Sequence, residues 1–162
     1  MPSKPVQRFL EDSNGNIWFG SYGFGYSVFD GYDIKQAQNK LLQNTIVNPG
    51  SFKDNLGYTW QSGSLDGKAQ IWKMDGAKIT IIHENTQGFY FLPLKNGLIG
   101  FGTSGEGLWL FENEKLIKKI DKTKGLALQN VLTISEDHHG RIWMGRNSQG
   151  ISYFDPLQDT VY

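Results

Sequence analysis

His83, His138 and His139 are the chain's only imidazoles, and no cysteine is present to act as nucleophile, thiolate ligand or disulfide partner. A lyase pairing a histidine with a carboxylate would have to draw on these three. His138 and His139 are consecutive in an Asp-His-His-Gly turn, where neighbouring side chains are not expected to share one direction. No Ser-His-Asp order, phosphate-cradling glycine loop or paired metal-ligand spacing stands out. These residues predict a protein that is not an enzyme, with no cofactor and no metal centre. The carboxylates that recur, Asp12, Asp54 and Asp137, each stand three residues before a glycine: Gly15, Gly57 and Gly140. Such a segment closes a hairpin. The Asp side chain accepts a hydrogen bond from the N–H two residues on, and glycine supplies the positive φ. Spaced one per repeat, these carboxylates are too far apart to share an ion.

The turns belong to a pattern that returns in steps of 42, 40 and 43 residues. Its first copy is Asp12, Gly15, Trp18, Gly20, Gly25 and Phe29; its second is Asp54, Gly57, Trp60, Ser62, Gly67 and Ile71. The third is Leu94, Gly97, Gly100, Gly102, Gly107 and Phe111; the last is Asp137, Gly140, Trp143, Gly145, Gly150 and Phe154. Spacing inside each copy is constant while the joins vary. A period near 40–45 residues with paired short strands is the signature of a β-propeller blade. The predicted fold is therefore all-β: a single β-propeller-type domain over residues 1–162, made of about four four-stranded antiparallel blades. The repeats run approximately over 6–45, 46–83, 84–130 and 131–162. Four blades suggest a fragment or half of a larger ring. In the fourth copy, Val131 to Glu136, Arg141 to Gly145, Ile151 to Phe154 and Thr160 to Tyr162 read as strands. Trp18, Trp60 and Trp143 share one repeat position and are expected to fill the gaps between blades. The third copy, with Leu94 for Asp and Gly100 for Trp, is expected to be the least regular. Its load moves to Phe101, Trp109 and Phe111, with Phe89, Tyr90 and Phe91 compensating.

Sixteen basic and sixteen acidic side chains give zero formal charge, which argues against a long-range field for nucleic acid or an anionic membrane. The one basic stretch, Lys115 to Lys124, reads as an exposed outer strand whose lysines discourage edge pairing. No apolar run approaches the ~18 residues of a membrane span. The opening Met-Pro-Ser-Lys-Pro lacks the apolar region of a secretion signal. The expectation is a cytoplasmic protein or a piece of a longer exported one.

The copies ISEDHHGRIWMGRNSQGISYFDP and FLEDSNGNIWFGSYGFGYSVFD resemble the two-component regulator propeller repeat, with its Asp-x-x-Gly turn, Ile-Trp-x-Gly strand and Gly-led strand ending in Tyr/Phe-Asp. FKDNLGYTWQSGSLDGKAQIW is a weaker match and the third copy is degenerate. Propellers of that family usually have about seven blades. They commonly form the periplasmic sensor region of bacterial hybrid two-component proteins, often detecting oligosaccharides. The resemblance implies a non-catalytic ligand-sensing module, periplasmic if excised from a longer exported sensor. The chain departs from that pattern in its four blades and in lacking a membrane span, kinase core and receiver.

Function on such scaffolds is carried by loops. The loops between second and third strands, Ser21 to Phe24, Gly63 to Asp66, Thr103 to Glu106 and Arg146 to Gln149, fall at equivalent places and should point to one face. The joins between blades should emerge on that face too. Tyr22, Asp66, Glu106, Arg146, Asn147 and Gln149 are the candidate ligand-binding residues, an aromatic beside polar groups suiting a sugar. The competing reading is a protein-interaction or self-assembly module, its partner a second copy or further blades of a longer chain. Open blade faces rich in Ile, Trp and Phe would drive that association.

Overall fold

The computed structural model describes residues 6–21, 24–48, 50–127, 129–146 and 150–162, with Gln7 by its backbone alone. These residues form two compact units, 1–87 and 88–162, each built from two antiparallel sheets. In the first unit, β1 (Val6–Glu11), β2 (Ile17–Ser21), β3 (Gly25–Phe29) and β4 (Ile34–Gln36) pair in chain order. A single helical turn, α1 (Lys40–Gln43), leads to the second blade. There β5 (Ile46–Val47) and β6 (Phe52–Lys53) both pair with β7 (Thr59–Leu65), followed by β8 (Lys68–Asp75) and β9 (Lys78–Glu84). The second unit holds β10 (Gly88–Pro93), β11 (Ile99–Thr103), β12 (Leu108–Glu112) and β13 (Lys115–Ile120), then β14 (Thr133–Glu136), β15 (Ile142–Gly145), β16 (Ile151–Asp155) and β17 (Thr160–Val161). The all-β blade architecture expected from the repeat is what the chain adopts. Among the described residues, no helix is long and apolar enough to cross a membrane.

The same turn opens every sheet. In the first, Asp12 N–H donates to the Asn16 carbonyl (3.0 Å) and Gly15 N–H to the Asp12 carbonyl (3.2 Å). The turns at Asp54, Leu94 and Asp137 repeat that pair of bonds. Gly15, Gly57, Gly97 and Gly140 all sit at φ between 78° and 87°, where a side chain is disfavoured. This is a three-residue hairpin, a type I turn closed by a left-handed residue.

Sheets pack in pairs within each unit. Trp18, Tyr26, Leu42 and Val47 share one apolar cluster with Leu65, Trp72 and Met74 of the second blade. In the second unit Leu94, Leu108, Leu110, Ile120, Leu126 and Val131 pack with Ile134, Ile142, Met144 and Phe154. Trp18 and Trp60 are buried as expected, whereas Trp143 is only half-buried.

Three expectations need correction. The third blade is a complete four-stranded sheet like the first, with a register shift at the same place on the inner strand, Val6/Arg8 and Gly88/Tyr90, and one more at Leu110/Phe111. The turn needs only backbone bonds and Gly97, so Leu94 is free to serve as a buried core residue. Gly100 leaves its space to Ile134, whose Cδ1 would lie 3.3 Å from an added Cβ. Phe101, Trp109 and Phe111 are fully buried, but of Phe89, Tyr90 and Phe91 only Phe91 is; it stacks on Phe101 at 4.3 Å. The second blade is the irregular one, its inner strand replaced by two short segments, β5 and β6, that both pair with β7. Finally, Gly63, Ser64 and Leu65 are strand, not loop. Asp66 (φ 51°) and Gly67 (φ 77°) alone make the turn, as an Asp-Gly pair does in a two-residue hairpin.

Candidate functional site

The hairpin loop of the third blade is welded to the join that enters the fourth. Gly105 and Gly107 N–H both donate to the Gln129 carbonyl, at 3.1 and 2.8 Å, and Val131 N–H donates to Thr103 O at 2.9 Å. Within the loop, the Thr103 hydroxyl donates to Gly107 O (2.8 Å) and accepts from Glu106 N–H (2.9 Å). Leu132 N–H donates to Gly145 O at 3.0 Å, so the join also reaches the strand end that carries Arg146. The first unit repeats the arrangement. Gly25 N–H donates to Thr45 O (3.2 Å) and Asn48 N–H to Ser62 O (2.9 Å). No side chain fits at Gly25 or Gly63, since an added Cβ would lie 2.0 Å from the carbonyl oxygens of Leu42 and Ile46 respectively. Hairpin loops and joins therefore lie together at one end of the sheets within each unit.

Of the sequence candidates, Asp66 stands exposed at the tip of the β7–β8 hairpin. Glu106 is half-exposed and accepts from Lys119 Nζ at 3.0 Å, and that ammonium lies 4.0 Å from the Trp109 ring centre. Arg146 is half-buried at the end of β15. Glu106 and Arg146 thus share the loop end of the second unit, and Asp66 occupies that end of the first. Tyr22, Asn147 and Gln149 lie outside the described residues.

At the other end of the sheets the recurring carboxylates prove structural. Asp12 Oδ1 accepts from Asn14 and Asn16 N–H, both at 2.9 Å, and Oδ2 accepts from Trp18 Nε1 at 2.8 Å. Asp54 does the same for Leu56, Tyr58 and Trp60, and Asp137 for His139, Arg141 and Trp143. Burial would raise the Asp12 carboxyl, but the Trp18 and Asn16 side chains with two backbone N–H groups hold it below its ordinary value. The Trp143 indole, with the Arg141 side chain and two backbone N–H groups, holds Asp137 well below its own against desolvation. The indole bond was missed in the sequence, although the constant spacing of Asp and Trp, six positions apart in three copies, signals it.

His138 and His139 do share one direction, their rings 3.8 Å apart, because the tight turn sets its two exposed residues side by side. Among the described residues, no three His, Asp or Glu side chains cluster as for a metal ion. Three lysines of the basic stretch face carboxylates. Lys118 and Lys124 both pair with Asp159, and Lys119 with Glu106.

Residues 1–23 match the sequence model of the Two component regulator propeller family. No curated protein sequence matches the chain. Among solved structures, the extracellular domain described as that of a hybrid two component system, BT3049 of B. thetaiotaomicron, superposes with a TM-score of 0.69 at 24% identity, covering 97% of this chain and 22% of that one. The extracellular domain described as that of a one component system from the same organism, BT4673, gives 0.68 at 17% identity, covering 94% and 22%. The WD40 β-propeller domain of Doa1 gives 0.59 at 13%, covering 95% and 52%. At these identities the likeness establishes the fold, and the chain spans 22% of the length of the first two.

Proposed function

We propose that this chain is a stretch of a non-catalytic sensor propeller that binds a small ligand, an oligosaccharide by preference, on the face formed by its hairpin loops and blade joins. The observation that carries this reading is the hydrogen-bonded weld between loop and join, seen in both units. It ties down the backbone around Glu106 and next to Arg146, which is what a pre-organised binding surface needs. Tyr22, Asp66, Glu106, Arg146, Asn147 and Gln149 are the proposed contacts. Likeness to extracellular domains of bacterial signalling proteins supports a sensing role and a position outside the cytoplasm, as part of a longer exported protein. Their description as signalling domains also favours binding over catalysis.

The test is calorimetric titration of the chain with a panel of oligosaccharides, repeated for Arg146→Ala and Asp66→Ala. Binding by the wild type that weakens at least about tenfold in a folded variant, equivalent to ~1.4 kcal/mol, supports the reading. Binding that neither substitution alters moves the site off this face, and turnover of a bound sugar that is lost in His83→Ala or His138→Ala would replace sensing with catalysis.

A further inference from the structure

The turn that opens each blade carries a backbone N–H four residues after its first residue, and three copies spend it in the same way. Asn16, Tyr58 and Arg141 N–H donate to Oδ1 of Asp12, Asp54 and Asp137, at 2.9, 2.9 and 3.0 Å. The third turn begins with Leu94, whose side chain has no acceptor. Its equivalent donor, Leu98 N–H, goes instead to the side chain of Asn96 and meets Oδ1 at 3.1 Å. The backbone frame is unchanged: Leu94 N–H donates to Leu98 O at 2.8 Å, and Gly97 N–H to Leu94 O at 3.0 Å.

That reassignment changes the chemistry of the Asn96-Gly97 step. An asparagine followed by glycine can cyclise, because glycine has no side chain to hinder the approach of its own nitrogen to the asparagine Cγ. The chain has two such steps, Asn14-Gly15 and Asn96-Gly97. Both are exposed, their glycines sit at φ 80° and 85°, and nothing lies within 4 Å of a Cβ added at either. Each glycine N–H also holds the carbonyl three residues earlier, Gly15 that of Asp12 at 3.2 Å, a bond that must open before attack. The two steps differ at the amide. Asn96 Oδ1 accepts the Leu98 N–H, whereas in the first turn the Asn16 N–H is committed to Asp12.

We propose that Asn96 is a site of covalent self-modification, at which the third turn promotes cyclisation of its own backbone to a succinimide. The Gly97 nitrogen gives its proton to solvent and bonds to Asn96 Cγ. Charge gathers on Oδ1, where the Leu98 N–H already lies, and a donor so placed stabilises the tetrahedral intermediate. A side-chain carbonyl bonded to the N–H two residues on folds back over the intervening peptide, whose nitrogen is the nucleophile. The Cγ–Nδ2 bond then breaks, and Nδ2 takes a proton from solvent and leaves as ammonia. Water opens the ring. Cleavage between the Gly97 nitrogen and Cγ gives aspartate; cleavage between that nitrogen and the Asn96 main-chain carbonyl carbon gives isoaspartate. Water is the one co-reactant, and nothing is oxidised or reduced.

The change falls beside a clamp between the third and fourth blades. Lys95 N–H donates to Glu136 Oε2 and Lys95 Nζ to Asp137 O, both at 2.8 Å. Either product sets a new negative charge one residue from Lys95, and isoaspartate also adds a methylene to the main chain of the turn. The loss of the repeat's Asp at position 94 thus does more than enlarge the core: it frees the donor that activates Asn96. This inference rests on the turn geometry and is independent of the ligand reading.

Peptide mapping by mass spectrometry tests it on the 162-residue chain, held folded in neutral buffer, with isoaspartyl and aspartyl peptides separated by chromatography. Both products should accumulate at Asn96 at least about fivefold faster than at Asn14, short of the ~10²–10³ that one oxyanion donor contributes where water is excluded. In urea the turns are lost and the two rates should converge. Gly97→Ala, which hinders the attacking nitrogen, should slow Asn96 several-fold and leave Asn14 unchanged. Conversion at Asn96 no faster than at Asn14 in the folded chain overturns the inference. So does an excess at Asn96 that survives in urea, since the turn would then have no part in it. Aspartate without isoaspartate, or a Gly97→Ala chain that converts at the wild-type rate, overturns it as well, because direct attack by water needs neither ring nor glycine.

Discussion

Asp12 accepts four hydrogen bonds, from Asn14 N–H, Asn16 N–H, the Asn16 amide and the Trp18 indole. One carboxylate thus closes a turn and aims a tryptophan into the junction between blades. Asp12→Ala should leave the buried indole N–H without an acceptor, at a cost of about 1–3 kcal/mol, read from urea unfolding. The same bonds give a pH signature. The Asp12 and Asp137 carboxyls are held below their ordinary values, so the folded state binds fewer protons than the unfolded one. Their stabilisation is complete above the unfolded value, about 3.9, and is lost as pH falls through the lower folded values. Wild type and Asp12→Asn should therefore differ in stability at pH 7 and converge in acid, as a series of urea titrations from pH 7 to 2 will register. A difference that stays constant over that range would mean that the charge of Asp12 is immaterial to the lock.

At the scale of elements, the repeat and its turns were legible because each anchor has a local backbone reason: a positive φ at glycine, an acceptor two residues earlier. What was not legible depends on partners brought from elsewhere. Leu94 read as a defect because the pattern scores it against Asp, whereas Leu108, Ile134 and Met144 make that position apolar core. The long β7–β8 hairpin was hidden because fixed spacing implied a four-residue loop, while Leu65 was drawn into the core of the first unit. Of the candidate site, the shared loop end could be anticipated; the bonds that weld it to the joins arise from residues about twenty positions away. Leu94→Asp, which restores the repeat consensus, should consequently destabilise the chain by at least about 2 kcal/mol, since it removes buried apolar surface and places a carboxylate where no tryptophan waits. Thermal unfolding decides between consensus and context. Two glycines in the same blade separate conformation from crowding. Gly97 (φ 85°) has open space, so Gly97→Ala should cost only the left-handed strain of about 1–2 kcal/mol. An added Cβ at Gly102 would meet Val131 O at 2.5 Å. Gly102→Ala should push the join off the hairpin and speed exchange of the Val131 amide, which the Gly97 variant should leave protected.

For the whole chain, charge bears on the kind of ligand proposed for the loop face. The formal charge is zero, and Lys118, Lys119 and Lys124 already face carboxylates. On the sensing proposal, a chain of zero formal charge would recognise its ligand chiefly by hydrogen bonds and apolar contact at short range, neither of which salt screens appreciably. A neutral oligosaccharide should then bind with an affinity that changes less than about twofold between 0.05 and 0.5 M NaCl, whereas each phosphate-type contact would lower log K by roughly 0.7–0.9 per decade of salt. Calorimetry at the two salt concentrations separates these cases. A steep fall would identify an anionic ligand held by Arg146 or by lysines drawn away from Glu106 and Asp159. In that event Asp159→Asn, by releasing Lys118 and Lys124, should tighten binding, while for a neutral sugar it should change nothing.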